Sequence, residues 1–142
     1  MSFMNPTQEQ IGQILKQAGN IAIVGLSDKS DRISYIVAYT MQQRGYRIIP
    51  VNPAASGTEI LGEMCYASLR DIPDKVDIVN VFRRSEYCAE VAREAAEIGA
   101  KVLWLQQGII SEESAVIAEE NDMVAIMDRC IKVEDAISLR DS

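Results

Sequence analysis

Five short apolar runs, each followed by a polar loop and then by a helical stretch, set the strongest limit on how this chain can fold. They are IAIVGL at 21–26, YRIIPV at 46–51, VDIVNVF at 76–82, KVLWLQ at 101–106 and MVAIMD at 123–128. Most are continuously apolar rather than alternating, the pattern of strands covered on both faces. Strand alternating with helix implies a parallel α/β sheet with right-handed crossovers. Five such strands admit two common orders, 3-2-1-4-5 and the flavodoxin-like 2-1-3-4-5, and in both the ligand lies outside the carboxyl ends of the strands.

Punctuation supports the helices. Thr7, with Gln10 three residues on, has capping-box spacing ahead of a stripe of Ile11, Ile14, Leu15 and Ala18, and Gly19–Asn20 ends it. Ser34 is the expected cap of a segment carrying Ile36, Val37, Thr40 and Met41 and closing at Gly45. Ser85 is expected to cap a helix with Cys88, Val91, Ala92 and Ala95 inward, and Ser111 one with glutamates in its first turn. The connection 52–75 offers one short capped turn at SLRDIP, a reduced crossover, and KVEDAISLRDS adds a short final helix. The whole, 1–142, reads as one domain: an N-terminal helix over 1–20, a core over 21–134 and a tail over 135–142.

A net charge of −7 makes nucleic acid a poor partner. No apolar run has the length of a membrane span, and the start MSFMNPTQEQIGQ has no leader pattern, so cytoplasmic residence is expected. The three cysteines, Cys65, Cys88 and Cys130, form no CxxC pair, and there is no histidine. Reduced thiols and no metal site are the expectation. Cys130 differs from the other two in standing beside an arginine, Arg129.

The residues just after each strand are the candidate site. After the first come Gly25, Ser27, Lys29, Arg32, Ser34 and Tyr35, and after the second Asn52 and Pro53. The third run ends in Phe82 ahead of Arg83 and Arg84, the fourth gives Gln106, Gln107 and Gly108, and the fifth is followed by Arg129. Five cations on one edge of an acidic chain suggest a small polyanion, held by charge-assisted contacts and helix N-terminal amides. Gly25 either lets the backbone approach an anion or simply ends a strand. A dinucleotide site usually offers GxGxxG and an acid at the end of the second strand. Here the loop GLSDKSDRIS has one glycine and the strand ends in Asn52, which disfavours NAD.

The stretches IAIVGLS, RISY, GYRIIPVNP, EILGEMCYASLRDIP, VDIVNVFRRSE, GAKVLWLQQGI and MDRCIKVE together resemble the small CoA-binding proteins of bacteria. Their Rossmann-like domain is related to the CoA-binding domain of the succinyl-CoA synthetase alpha subunit. The resemblance implies a five-stranded parallel sheet in the order 3-2-1-4-5, with coenzyme A across its carboxyl edge. It also implies Gly25, Ser27, Arg32, Ser34 and Tyr35 at the pyrophosphate, Asn52 and Pro53 beside the adenosine, and Phe82, Arg83 and Gln106 along the groove. Relatives often carry a histidine where this chain has Asp135, and the synthetase works through a phosphorylated histidine.

A chain without histidine cannot run that chemistry. Asp128, the best placed carboxylate, reads more naturally as a turn cap or a partner of Arg129. The expectation is therefore non-catalytic binding of CoA or acyl-CoA by a sensor or carrier, with a homodimer as the candidate assembly. The alternatives are an NAD(P)-binding oxidoreductase and a partner-dependent CoA-ligase subunit using the same groove.

Overall fold

Each apolar run forms a strand, and all five lie parallel in one sheet. They are β1 (Asn20–Val24), β2 (Arg47–Val51), β5 (Ile78–Val81), β6 (Val102–Leu105) and β7 (Val124–Ile126) in a computed structural model that describes residues 3–140. The helices are α1 (Gln8–Gln17), α2 (Ile33–Gln43), α3 (Ser85–Glu97), α4 (Glu112–Glu120) and α5 (Ile131–Arg140). Successive strand residues point to opposite faces, which divides the core in two. Ala22, Val24, Val79, Val81, Leu103 and Leu105 pack with Cys88, Val91, Ala92 and Ala95 of α3 and Ala118 of α4. Ile21, Ile23, Ile48, Ile78 and Trp104 pack with Ile11 and Leu15 of α1, Val37 and Met41 of α2 and Ile131 of α5. Helices on both faces explain the unbroken apolar runs.

Along the sheet the strands run β2-β1-β5-β6-β7. Counted in chain order, the five ladder strands are therefore 2-1-3-4-5, which corrects the order 3-2-1-4-5 implied by the resemblance. The reason lies in 52–77, which has neither an apolar run of strand length nor a crossover α-helix. Two short 3₁₀ turns (Pro53–Ala55 and Leu69–Asp71) and a two-residue-strand hairpin, β3 (Glu59–Ile60) with β4 (Glu63–Met64), take their place. Among the described residues only Tyr66 pairs with the backbone on the outer edge of β2, bridging to Val51 in parallel. There the Asn52 N–H donates to the Tyr66 carbonyl at 2.9 Å and the Tyr66 N–H to the Pro50 carbonyl at 3.0 Å. With Tyr66 holding the third place, the outward order Tyr66-β2-β1-β5-β6-β7 keeps the Rossmann-like arrangement. The hairpin turn puts Leu61 (φ 56°) and Gly62 (φ 78°) in the left-handed region. Two-residue hairpins require this, and Asn-Gly usually signals it, so Leu-Gly gave no warning.

The caps fall partly as expected. Thr7 and Gln10 form the reciprocal capping box of α1, and Ser111 caps α4 by accepting from the Ser114 N–H. Ser34 and Ser85 are not caps. Arg32 and Arg84 occupy those positions, and neither makes a side-chain cap. α2 starts two residues, and α3 one residue, earlier than its serine suggests, which frees both hydroxyls for contacts with neighbouring loops.

Away from the carboxyl edge, α5 is locked to α2 and the start of β2. Asp135, 3 % exposed, accepts from the Tyr46 hydroxyl at 2.6 Å and from Arg44 at 2.9 Å. Burial first, and then the adjacent carboxylate, push the Tyr46 phenol well above its ordinary range. Asp135 is a structural clamp.

Candidate functional site

The strand order reverses direction between β1 and β5, and that switch point sets the site. Gly25 leaves β1 with φ 89°, and a Cβ there would come within 2.7 Å of the Phe82 carbonyl on the neighbouring strand. Its N–H donates to the Val51 carbonyl of β2 at 2.8 Å. Close approach of three backbones at the switch point therefore accounts for this glycine.

The loop beyond Gly25 is tied down by its own hydroxyls. The Ser34 Oγ accepts from the Ser27 N–H at 3.0 Å, and the Ser27 Oγ accepts from the Lys29 N–H at 3.0 Å. Ser34 is buried. These contacts curl 25–32 over the start of α2, and the first intrahelical bond runs from Ile36 back to Arg32. The N–H groups of Ile33, Ser34 and Tyr35 thus have no acceptor within the helix.

Asn52 explains why the second strand ends in an amide rather than an acid. Its Oδ1 caps the turn at Ala54, and its Nδ2 donates to the Leu26 carbonyl at 2.9 Å. Aspartate could accept the first bond but not donate the second. Asn52 therefore binds the end of β2 to the loop after β1.

A cleft of about 750 Å³ opens between the starts of α2 and α3 and the ends of β5 and β6. Phe82, Arg83, Arg84 and Gln106 line it, as do Gln107 and Gly108. Ile33, Ser85, Ile109 and Cys130 complete the wall. None of these four is among the ligand residues expected from sequence, although each falls in a stretch that carries the resemblance: RISY, VDIVNVFRRSE, GAKVLWLQQGI and MDRCIKVE. Arg83 stacks over the Tyr87 ring at 4.6 Å, and the two also line a second hollow of about 270 Å³ that contains Pro53. Arg83 thus stands between the cleft and the end of β2. Gly25, Ser27, Lys29, Arg32, Ser34, Tyr35 and Asn52 line neither hollow. Arg32 adjoins Ile33 in the wall, and Arg129 adjoins Cys130.

Gln106, 5 % exposed, joins three elements. Its Oε1 accepts from the Asn80 Nδ2 at 3.2 Å and from the Ile131 N–H at the start of α5 at 3.3 Å. A backbone N–H can only donate, so it fixes the oxygen inward and leaves the amide nitrogen to the cleft. Asn80 is fully buried, and its Oδ1 has no partner among the described residues.

The ion pairs divide the molecule. Arg44, Arg47, Arg70 and Arg93 each reach a carboxylate at 2.9 Å or less. At the carboxyl edge only Arg84 has one, Glu86 at 3.9 Å, both strongly exposed. Among the described residues Lys29, Arg32, Arg83 and Arg129 form no ion pair. The same edge holds the N-termini of α2 and α3, neither of which has a side-chain cap. Uncompensated cations and open amides together make a site for negative charge.

The Asp128 Oδ1 accepts from the Gly108 N–H at 2.7 Å, so this carboxylate holds the loop after β6, and Arg129 donates to the Asp128 backbone carbonyl. Cys65 and Cys88 are buried, and burial pushes the Cys88 thiol up to about 11 against the lowering pull of Arg83. Among the described residues no group of three or more carboxylates and thiols is placed to hold a metal.

Fold and site together define a Rossmann-like domain with an anion-favouring cleft at its topological switch point. Residues 19–136 match the CoA binding domain family, and the chain belongs to that family. It is 47 % identical over 136 residues to an uncharacterized protein of Bacillus subtilis, YneT, covering 96 % of this chain and 99 % of that one. It is 32 % identical over 102 residues to the ADP-forming acetate–CoA ligase II of Archaeoglobus fulgidus, covering 70 % of this chain but 15 % of the ligase. A hypothetical protein of Pyrococcus horikoshii has a solved structure that superposes with a TM-score of 0.90 at 35 % identity, covering 98 % and 99 % of the two chains. A Thermus thermophilus protein gives 0.90 at 32 %, covering 94 % and 99 %.

Proposed function

We propose that the protein binds coenzyme A, free or as a thioester, in the cleft at the carboxyl edge, and serves in the cytoplasm as a carrier or sensor without chemistry of its own. The distribution of ion pairs carries this reading. Arg44, Arg47, Arg70 and Arg93 are neutralised, whereas among the described residues Arg32, Arg83 and Arg129 are left for a ligand. Coenzyme A supplies a pyrophosphate and a ribose phosphate, more charge than the single pyrophosphate of NAD. The open amides of α2 suit one phosphate group, with Lys29 and Arg32 beside it. Arg83, stacked on Tyr87 between the two hollows, suits the adenosine side of the ligand next to Pro53, and Phe82 and Gln106 suit the pantetheine arm. Gly25, Ser27, Ser34 and Asn52 build the loop on which this depends, and Tyr35, packed in the core below, supports it.

The test is the ligand the protein retains. Native purification, denaturation and mass spectrometry of the released small molecules should recover CoA or an acyl-CoA, and calorimetry should show saturable CoA binding. Recovery of NAD(H), or NAD binding tighter than CoA binding, would replace this reading with the dinucleotide one.

A further inference from the structure

Of the three thiols, Cys130 alone opens on the cleft. Cys65 and Cys88 are buried, and their sulfurs lie 3.6 Å from the Asn52 carbonyl and 3.5 Å from the Arg84 carbonyl. Cys130 is partly exposed, lines the cleft with Arg83 and Ile109, and immediately precedes α5, its carbonyl accepting from the Glu134 N–H at 3.0 Å.

A second, independent feature marks the same spot as a place for a ligand. Gln106 is 95 % buried, since 5 % of it is exposed, yet among the described residues its amide nitrogen has no acceptor, and Gln106 forms part of the cleft wall. Its oxygen meanwhile grips the N–H of Ile131, the residue after Cys130. One side chain therefore fixes the backbone beside the thiol and offers the cleft a neutral donor. Such a donor suits an amide carbonyl, and the pantetheine arm of coenzyme A has amide carbonyls shortly before its terminal sulfur.

We propose that Cys130 is a thiol–disulfide exchange site at which the protein captures coenzyme A as a mixed disulfide, with the disulfide form of coenzyme A as co-reactant. The inference rests on the CoA-binding reading above. The Cys130 thiolate attacks one sulfur of the CoA disulfide, the bond between the two CoA sulfurs breaks, and a Cys130–CoA disulfide forms. The departing CoA thiolate takes up the proton that Cys130 gave up. No net electrons are gained or lost, and a reducing thiol reverses the step. Bound this way, the protein responds to the oxidation state of the CoA pool as well as to its size.

The experiment incubates the full chain with CoA disulfide or with glutathione disulfide, followed by non-reducing intact-mass and peptide mass spectrometry. One CoA per chain is expected on Cys130, removable by dithiothreitol and formed roughly tenfold or more faster than the glutathione adduct, because binding positions the sulfurs. Cys130→Ser should lose the adduct, and Arg83→Ala should slow the CoA adduct without slowing the glutathione one. CoA binding in calorimetry without a Cys130 adduct, or equal rates from both disulfides, overturns this inference and leaves the CoA reading standing. Absence of CoA binding to the wild-type chain overturns both.

Discussion

The side-chain amide of Asn52 donates to the Leu26 carbonyl across 2.9 Å, joining the end of the second strand to the loop that follows the first. That bond holds the rim of the cleft, so the geometry available to a ligand depends on a residue that lines neither hollow. Asn52→Asp keeps the acceptor at Ala54 but turns the Leu26 contact into an oxygen–oxygen repulsion. The variant should lose about 1–3 kcal/mol of stability, read by urea denaturation, and CoA affinity in calorimetry should fall with it. Unchanged stability would mean the loop does not rely on this contact.

Gly25 should tolerate no side chain. Its φ of 89° and the 2.7 Å approach to the Phe82 carbonyl combine a strained backbone with a clash against backbone. Gly25→Ala is expected to cost about 1–3 kcal/mol or more, seen as a lower melting temperature. By contrast Gly57→Ala, whose Cβ would meet nothing within 4 Å, carries only the φ strain.

The unpaired arginines should carry affinity but little stability. Arg32→Ala and Arg83→Ala should each weaken CoA binding about tenfold to a hundredfold, the range of a lost charge-assisted contact, while the melting temperature stays near wild type. Arg93→Ala, which removes an exposed pair with Glu113, should leave affinity unchanged. Binding should weaken with added salt. Equal affinity in Arg32→Ala, Arg83→Ala and wild type would remove the phosphate assignment.

Asp77 should make stability depend on pH at the acid end. Its Oδ2 accepts from the Gly19 and Asn20 N–H groups, both at 2.9 Å, where α1 hands over to β1. Burial pulls its carboxyl upward, but the two backbone donors, with Lys101 and Lys75, hold it below its ordinary value of 3.8. A carboxyl depressed in the folded state stabilises the fold above its unfolded value, and that contribution is lost as pH falls through the lower folded value. Asp77→Asn should therefore be less stable than wild type at neutral pH by about 1–2 kcal/mol. The gap should close as the pH is lowered past 3.8, measured by denaturation at a series of pH values.

Much of the fold was legible because burial on both faces writes itself locally, as unbroken apolar runs with glycine and serine punctuation. The two misplaced caps, Ser34 and Ser85, have the residue type of a cap. They were drawn instead into contacts with Ser27 and Ile110, residues that only the folded chain brings near. The hairpin at Leu61–Gly62 was missed because a left-handed leucine has no sequence signature. At the site, the cationic edge was visible from positions alone, since strand ends in a parallel sheet share an edge. That Asn52 and Ser34 build the site while Arg83 and Gln106 line it was not visible, because contacts made only in the folded loops decide it.

Sequence alone determined that this is a parallel α/β domain with its cations gathered where strands end, because side-chain periodicity and strand direction are local properties of the chain. Only the tertiary structure decided the strand order, with Tyr66 as the remnant of an outer strand, and which arginines stay unpaired. It also decided that Cys130 faces the cleft while Cys65 and Cys88 do not. Those outcomes depend on which distant segments come within a few ångströms of one another, and no spacing along the chain encodes that distance.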